Sequence, residues 1–579
     1  MNIYSFKMRN HIWIDNGIGG LYSIAKSDKN RLNQYKIVTR LNDKQNSLEF
    51  EYYDLSSLRE FLTECYKDLS MRYWNVSTSK QKENPELVLM DRATGELKLG
   101  PKRVPTPIAA LFVKGSSWKP NGIPYKDLPE KEKKRVKVYL EQTGKSLWGK
   151  KEYLLYDLPT CHPEIDILPE NYSRRRKQVC CVCGNESSSY REVSQPSYLL
   201  FASNTATKSF NSQGKMPDVI CWECEFLSKF ALHTAGFKKI GKKSEANDIL
   251  IIQSYSPSVQ MLIDLQSEMG ADSPLRRLGD DDIYYCNIGL ESDSLVRYAS
   301  KPFELLWSFF YDKFSLLVKE QIKQESQESL EDWLKDNDYN EFFEKISFSP
   351  VMFFLIHAEI GSKTFITKDL TIYQDICYFF RLLKYLTENN INPRVFFSSI
   401  WDSEDKNPNL VREEICRKIL MKQSILSVLE PFCFRKIMNG QLMAFSDILN
   451  FAKIYEPIIK KEGVGMNKDQ IETAVNLGKQ IVLSVLPKDE KDKSKADAAM
   501  RKVKGDLFAL RKSRTSTDFL NQLTNMMFRY GISVSGKLLD GILEEVKFED
   551  FRAYCIMGAL QVINTVNSSS NNISKEDQQ

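Results

Sequence analysis

The sequence predicts an α+β protein. Its mixed N-terminal half carries an inserted four-cysteine, zinc-ribbon-like site, and its all-helical C-terminal half ends in a helical bundle. Three observations predict this class: strand-like and helix-like segments alternate near the N-terminus, two Cys-x-x-Cys motifs follow, and apolar residues recur at helical spacing from about Pro302. At 579 residues the chain is too long for one core, and its 42% of hydrophobic residues can fill several.

Shifts in composition divide the chain into successive segments. Prolines and turn-forming residues mark the loop that follows the first segment, and a polar Ser/Asn-rich stretch closes the chain. We predict an α+β region (1–100), a basic loop and helix region (101–170), a zinc-binding region (171–245), a mostly helical region (246–455), a C-terminal helical bundle (456–566) and a disordered tail (567–579).

Individual elements follow from the spacing of apolar residues. The segment HIWID (11–15) is strand-like, and the glycines after it do not form a dinucleotide-binding fingerprint, because Tyr22 stands where the third glycine is required. The N-terminal half predicts strands over Leu48–Tyr53 and Ile108–Val113 and helices over Ser56–Leu69 and Glu130–Glu141. Helical periodicity in the C-terminal half covers 302–323, 374–388, 411–432 and Lys495–Arg514.

The cysteines in the middle of the chain have the spacing of a metal site. Two Cys-x-x-Cys motifs are separated by 37 residues, which predicts an inserted hairpin or loop; their cysteines are Cys180, Cys183, Cys221 and Cys224. A tight knuckle turn directs both sulfurs of a motif at one ion, and Gly184 suits the positive φ that such a turn requires. Cys181 lies inside the first knuckle and is not expected to be a ligand, although it could substitute for Cys180.

Four thiolates complete the coordination of Zn²⁺ and leave no open position for a catalytic water, so the motifs predict a structural zinc site. Four buried structural thiols and a redox-active Cys-x-x-Cys pair are the alternative interpretations. The regular pairing of two motifs favours the metal.

A search for catalytic groups finds no nucleophile and base at a suggestive spacing. The four histidines, His11, His162, His233 and His357, form no ligand pair. Thr143–Ser146 lacks the upstream glycine of a phosphate loop, and Gly279–Asp282 is typical of a solvated turn. We therefore expect a protein that binds and does not catalyse. The N-terminus has no signal-peptide pattern and Val351–Ile356 is too short to cross a bilayer, which predicts a cytoplasmic protein.

Positive charge is concentrated in the middle of the chain. Residues 102–243 carry a net charge of +11 and the rest of the chain −6, which favours a nucleic-acid partner over a solvated surface. In the predicted helix Lys495–Arg514, the apolar residues Val503, Leu507 and Leu510 lie opposite the cations. The candidate contacts are Lys102, Arg103, Lys114, Trp118, Lys119, Asn121, Arg174, Arg175, Arg176, Lys177, Arg501, Lys504 and Lys512. Trp118 as a loop anchor and the C-terminal cations as a solvated face remain open alternatives.

Three segments carry a resemblance to a known family. CCVCG (180–184), CWEC (221–224) and the N-terminal HIWIDNGIGGLYSI (11–24) resemble the large subunit of type I-B CRISPR Cascade complexes, in its CXXC–CXXC branch. The additional Cys181 departs from that pattern. The resemblance implies a non-catalytic subunit of an RNA-guided surveillance complex, whose N-terminal part would read the protospacer-adjacent motif and whose helical C-terminal part would line the path of the unwound DNA. Composition alone makes region 101–170 the candidate reader of that motif.

The same resemblance implies the partners. These are guide RNA, target double-stranded DNA, the backbone and guide 5′-end-binding subunits, and a helicase-nuclease recruited for cleavage. A small subunit of 114 residues would arise if translation also began internally at Met466, where KKEG (460–463) permits a purine-rich ribosome-binding site. Two other function classes fit part of the sequence: a nucleic-acid-modifying enzyme with a zinc ribbon, and a protein–protein scaffold.

Overall fold

A computed structural model of the chain divides into two units. The first unit comprises Met1–Tyr298 and Tyr339–Cys377, and the second comprises Ala299–Asp338 and Tyr378–Gln579. The mixed first unit, the four-cysteine cluster within it and the helical second unit confirm the predicted α+β class. The structure describes residues 2–73, 83–101, 118–157, 161–163, 166–169, 176–193, 219–240, 248–268, 301–311, 351–360, 365–402, 405–459, 465–486, 493–532, 536 and 541–576.

The N-terminus forms a three-stranded antiparallel sheet with helices packed on it. Its order is β1 (Asn2–Lys7), β3 (Ser47–Tyr52) and β2 (Val38–Leu41), and the helices are α1 (Ile12–Ser27), α2 (Lys29–Tyr35) and α3 (Leu55–Tyr73). Strand β3 and helix α3 confirm the predicted elements at 48–53 and 56–69. The ring of Phe50 contacts the ring of Phe6 edge to face and that of Phe61 at a tilt, in the core between sheet and helices.

The strand-like interpretation of HIWID was wrong, because residues 12–27 form helix α1. His11 is the N-cap, and its ring nitrogen accepts the backbone N–H of Ile14 at 3.4 Å. The carboxylate of Asp15 accepts the backbone N–H groups of Arg9 and His11 at 2.7 and 2.9 Å, so donors before and at the helix start have partners. The apolar run is suited to a helix that is buried on nearly all sides, which a short sequence window does not distinguish from a strand.

A small lobe of the first unit has its own core. Its sheet has the order β5 (Leu97–Gly100), β4 (Leu87–Met90), β8 (Tyr153–Tyr156) and β7 (Gly122–Pro124), and helix α4 (Glu130–Thr143) packs on it. Val136 of α4 is buried against Val88 and Leu154. Helix α4 confirms the predicted helix, and Gly144, with a φ of +63°, is its C-cap residue. The predicted strand Ile108–Val113 lies outside the described residues, and β6 (Trp118–Pro120) pairs with β9 (Cys161–Pro163).

A second antiparallel sheet, which the sequence did not predict, lies mainly within region 246–455, among the helices predicted there. Strands follow one another in the order β14 (Gly236–Ile240), β15 (Asp248–Tyr255), β16 (Met352–Ile360) and β17 (Phe365–Tyr373), and helix α6 (Val259–Glu268) follows β15. The apolar run Val351–Ile356 is the first part of β16, and His357 is half-buried there. Strand β16 pairs with β15, about 100 residues earlier in the chain, and local periodicity carries no signal of such a partner.

Every regular element among the described residues of the second unit is a helix. The predicted helix 411–432 is interrupted after Leu420, where Lys422 has a φ of +54°. The helices are α7 (302–311), α8 (Ile376–Glu388, which begins in the first unit), α9 (Pro393–Ser399), α10 (Leu410–Leu420), α11 (Leu426–Met438), α12 (Phe445–Ile459), α13 (Lys468–Leu483), α14 (Lys493–Lys512), α15 (Ser516–Tyr530), α16 (Ile542–Glu545) and α17 (Phe548–Glu576).

Helices α13 and α17 form the closest pair of the C-terminal bundle. A Cβ on Gly478 would lie 1.8 Å from the carbonyl oxygen of Cys555, and one on Gly558 would lie 2.1 Å from that of Val475, so both glycines permit backbone contact. Helix α17 continues to Glu576, into the segment for which the sequence predicted a disordered tail; extending an established helix by one residue costs little. No helix in the described part of the chain has both the length and the apolar character needed to cross a membrane.

Candidate metal centre

The first cysteine motif forms a tight turn at the end of a short strand. Strand β10 (Gln178–Val179) pairs with β11 (Glu186–Ser187), and Cys180 follows β10 directly. The backbone N–H of Gly184 donates to the carbonyl of Cys180 at 2.9 Å, and the φ of Gly184 is +70°, as the knuckle turn requires. This turn places the sulfurs of Cys180 and Cys183 on the same side of the hairpin.

The second motif joins a strand to a helix. Strand β13 (Val219–Cys221) pairs with β12 (Tyr190–Glu192), and helix α5 (Trp222–Thr234) begins directly after Cys221. Cys221 is therefore the N-cap residue of α5, and Cys224 lies in its first turn. Between the motifs, β11 (Glu186–Ser187) pairs back with β10 and β12 (Tyr190–Glu192) pairs with β13, so these two strands do not form an inserted hairpin of their own. Residues 194–218 of the insertion lie outside the described residues.

The four sulfurs converge on one point. Their ligand atoms all lie within 4.8 Å of one another, and the Sγ atoms of Cys183 and Cys221 are 3.8 Å apart. Four sulfurs at the usual Zn–S distance of about 2.3 Å, in a tetrahedron, would be separated by about 3.8 Å. The spacing and the all-thiol donor set therefore fit one tetrahedrally coordinated ion, and the prediction that these four cysteines form one cluster is confirmed.

The cluster is arranged so that all four thiols cannot ionise without a cation. Hydrogen bonds from the thiols of Cys221 and Cys224 lower the pKa of Cys180 far below its ordinary value. Contacts with Cys180, Cys183 and Cys221, together with burial, raise the pKa of Cys224 far above its ordinary value. Close thiolates repel one another in a partly buried site, and a bound cation removes that repulsion.

Cys181 does not belong to the cluster. Its side chain is exposed, while Cys180, Cys221 and Cys224 are buried and Cys183 is half-buried. The backbone N–H of Cys181 donates to the carbonyl of Val219 at 2.9 Å, which fixes the turn against strand β13. The expectation that Cys181 is not one of the four ligands agrees with this arrangement.

Three polar residues beside the cluster were missed by sequence reasoning. Arg9 donates to Glu223 at 2.6 Å, and the hydroxyl of Tyr4 donates to the other oxygen of that carboxylate. Burial alone would lower the pKa of Arg9, but the charge of Glu223 and the sulfurs of Cys224, Cys183 and Cys221 raise it above its ordinary value. Arg9 therefore holds a positive charge next to a thiolate-rich centre. The partners lie 214 residues apart in the chain, so no spacing rule would have revealed them.

Replacing Arg9 by Gln is expected to lower the affinity for Zn²⁺ by about tenfold, the lower end of the range for residues that support metal ligands. The cause is loss of the positive charge beside the sulfurs and of the ion pair that holds Glu223 in the first turn of α5. Competition with a chromophoric zinc chelator measures the affinity. Arg40→Gln is the matched control, since Arg40 is half-exposed and pairs with Glu49 on the sheet surface. Equal affinities for both variants would rule out this role for Arg9.

Helix α5 is held by its packing against α1. A Cβ on Gly17 would lie 1.9 Å from the carbonyl oxygen of Leu227, and one on Gly20 would lie 2.2 Å from that of Phe230. The hydroxyl of Ser23 and Nε2 of His233 are 3.3 Å apart farther along the same two helices. His233 is buried in this packing, and neither it nor His11 belongs to the sulfur cluster.

The predicted nucleic-acid contacts are spread over separate parts of the chain. Asn121 is only 7% exposed, and because base-reading side chains must present their polar groups at the surface, this burial speaks against a direct base contact. Arg176, Lys177, Arg501 and Lys512 are exposed, and Lys504 is half-buried. Lys102, Arg103, Lys114, Arg174 and Arg175 lie outside the described residues, as do the side chains of Trp118 and Lys119.

Helix α14 has the two faces that the sequence predicts. Val503, Leu507 and Leu510 are buried, whereas Arg501 and Lys512 are exposed on the other side. The periodicity therefore identified the packed face correctly.

Comparison with models of known protein families and with curated proteins finds no match for the chain.

Proposed function

We propose that the chain is a non-catalytic, nucleic-acid-binding subunit: the large subunit of a type I-B CRISPR Cascade surveillance complex, acting in the cytoplasm. One observation carries the proposal. The three segments of the sequence resemblance, 11–24, 180–184 and 221–224, are far apart in the chain but meet around the sulfur cluster through the packing of α1 on α5. If the resemblance consisted of three unrelated local motifs, there would be no reason for the three segments to lie together in the fold.

The metal in this proposal is Zn²⁺, with a structural role. It would be held by Cys180, Cys183, Cys221 and Cys224. Four thiolates complete the coordination of the ion, so it would cross-link the segments that carry them and would leave no position for a substrate. Through these four cysteines the ion would connect the β10–β11 turn with strand β13 and with the first turn of α5. Arg176 and Lys177 are exposed just before the first cysteine motif and would contact a phosphate backbone.

The division of work within the complex follows from the resemblance. Guide RNA would select target DNA by base pairing, and the 101–170 region would read the protospacer-adjacent motif. Exposed cations of helix α14, including Arg501 and Lys512, would contact the unwound DNA, and a recruited helicase-nuclease would cut it.

We also propose that translation starts a second time at Met466, to yield the small subunit. Met466 directly precedes Asn467, which caps α13 through a reciprocal capping box with Gln470. A product starting there would begin at a helix cap and would contain both members of the close α13–α17 pair.

Tagged protein, expressed from its own operon, is expected to co-purify with a small RNA, with further Cascade subunits and with a 114-residue product of its own gene. RNA sequencing and mass spectrometry of the purified complex measure these components. Recovery of the chain alone and free of RNA would contradict the proposed function. In the Met466→Leu variant the short product should disappear while the long chain remains, and its persistence would refute the internal start alone.

A further inference from the structure

A groove in the small lobe lies between helix α4 and the start of strand β5. It has a volume of about 530 Å³, within the range of small-ligand sites. The side chain of Arg135 donates to the carbonyl of Gly95 at 2.9 Å and so ties the helix to the β4–β5 turn. The groove is lined by Glu96, Leu97, Lys134, Arg135, Val138, Tyr139 and Gln142.

Helix α4 carries a row of three lysines at intervals of three residues, of which Lys134 lines the groove and Lys131 and Lys137 lie about one turn before and after it. Lys131, Lys134 and Lys137 are exposed, and none has an ion-pair partner among the residues that the structure describes. By contrast, Lys133 and Arg135 of the same helix pair with Glu130 and Glu132.

Apolar surface accompanies the lysine row. Val138 is 50% exposed on this charged helix, and Tyr139 and Leu97 add half-buried ring and aliphatic surface to the groove. Contacts to duplex phosphates alone would need only the cations. Cations combined with an aromatic and apolar floor are the combination that binds an unstacked base together with its backbone.

We propose that this groove binds a single nucleic-acid strand, with phosphates along Lys131, Lys134 and Lys137 and a base against Val138 and Tyr139. The carboxylate of Glu96 is an acceptor at the groove wall and suits the exocyclic amino group of a base. The inference rests on the proposed nucleic-acid function and assigns the strand-binding surface to α4, which lies within region 101–170 but contains none of the candidate contacts predicted from the sequence.

The test compares two triple variants of the full chain by fluorescence anisotropy. Lys131→Gln/Lys134→Gln/Lys137→Gln removes the row, and Lys126→Gln/Lys150→Gln/Lys151→Gln removes the same charge from exposed sites of the same lobe that do not line the groove. Labelled single-stranded DNA, single-stranded RNA of the same sequence and duplex DNA serve as probes. For the variant without the lysine row we expect at least about a tenfold loss of affinity for a single strand. The slope of log affinity against log salt concentration should fall by about 2, because each of three phosphate contacts contributes about 0.7.

Separate outcomes distinguish this inference from the proposed function. Wild-type chain that binds none of the probes and carries no RNA contradicts the function itself. If the wild-type chain binds a single strand but both triple variants lose the same affinity, the groove proposal is wrong and the proposed function stands. The same conclusion holds if the variant without Lys131, Lys134 and Lys137 loses no affinity. If the variant without the lysine row loses a co-purifying subunit but binds the strand as the wild type does, the three lysines contact a protein and the groove proposal is wrong. Val138 is half-exposed, so we expect Val138→Asp to keep the fold and to weaken strand binding as well. Comparison of the DNA and RNA probes shows which kind of strand the groove prefers.

Discussion

The Cys224→Ser variant is expected to lose bound zinc and to unfold the surroundings of α5, whereas Cys181→Ser keeps both. Cys224 lies in the first turn of α5, buried among the other three sulfurs. A serine there leaves three thiolates and a weak fourth donor for the metal. Structural zinc supplies about 10–16 kcal/mol of folding free energy in small zinc domains, so we expect a loss on the order of 5 kcal/mol.

Elemental analysis and thermal unfolding measure this effect. Wild-type and Cys181→Ser protein should contain one zinc per chain and unfold at the same temperature. Cys224→Ser should contain less than half an equivalent and become sensitive to protease near α5. Wild-type protein treated with a strong chelator should reproduce that sensitivity and recover when Zn²⁺ is returned. A metal-free Cys224→Ser protein with wild-type stability would show that the four sulfurs are merely packed thiols.

Gly17→Ala is expected to be the second most damaging change, although it adds one methyl group. The new Cβ would lie 1.9 Å from the carbonyl oxygen of Leu227 and 2.6 Å from its carbonyl carbon, and backbone atoms of a helix cannot move aside independently. Helices α1 and α5 would have to separate. Overpacking of this kind typically costs about 1–3 kcal/mol. Because α5 carries Cys224, we expect weaker zinc binding as well as lower stability.

The matched control is Gly505→Ala in helix α14, where an added Cβ meets no atom within 4 Å. Alanine there should stabilise the second unit by about 0.5–1 kcal/mol, because glycine lowers helix stability. Chemical denaturation and zinc competition report the two effects. Equal and small changes for both variants would contradict the close backbone contact between α1 and α5.

Local patterns predicted the elements whose causes lie within a few residues. The spacing of Cys180, Cys183, Cys221 and Cys224 predicted one cluster, and the periodicity of α14 predicted its buried face. The glycines at 17–20 do not match a dinucleotide-binding fingerprint, and the sequence did not predict the role of Gly17 and Gly20 in helix packing. That function depends on Leu227 and Phe230, which only folding brings against them.

The sequence by itself determined the α+β class, the four cysteines that cluster and the helical character of the second unit, because each depends on short-range spacing or on composition. Only the tertiary structure decided that residues 12–27 are a helix, that β15 pairs with β16, and that Arg9 stands beside the sulfurs through Glu223. Those outcomes are set by partners about 100 to 210 residues away in the chain. The energies that select them arise from packing and charge between segments, which no single segment encodes.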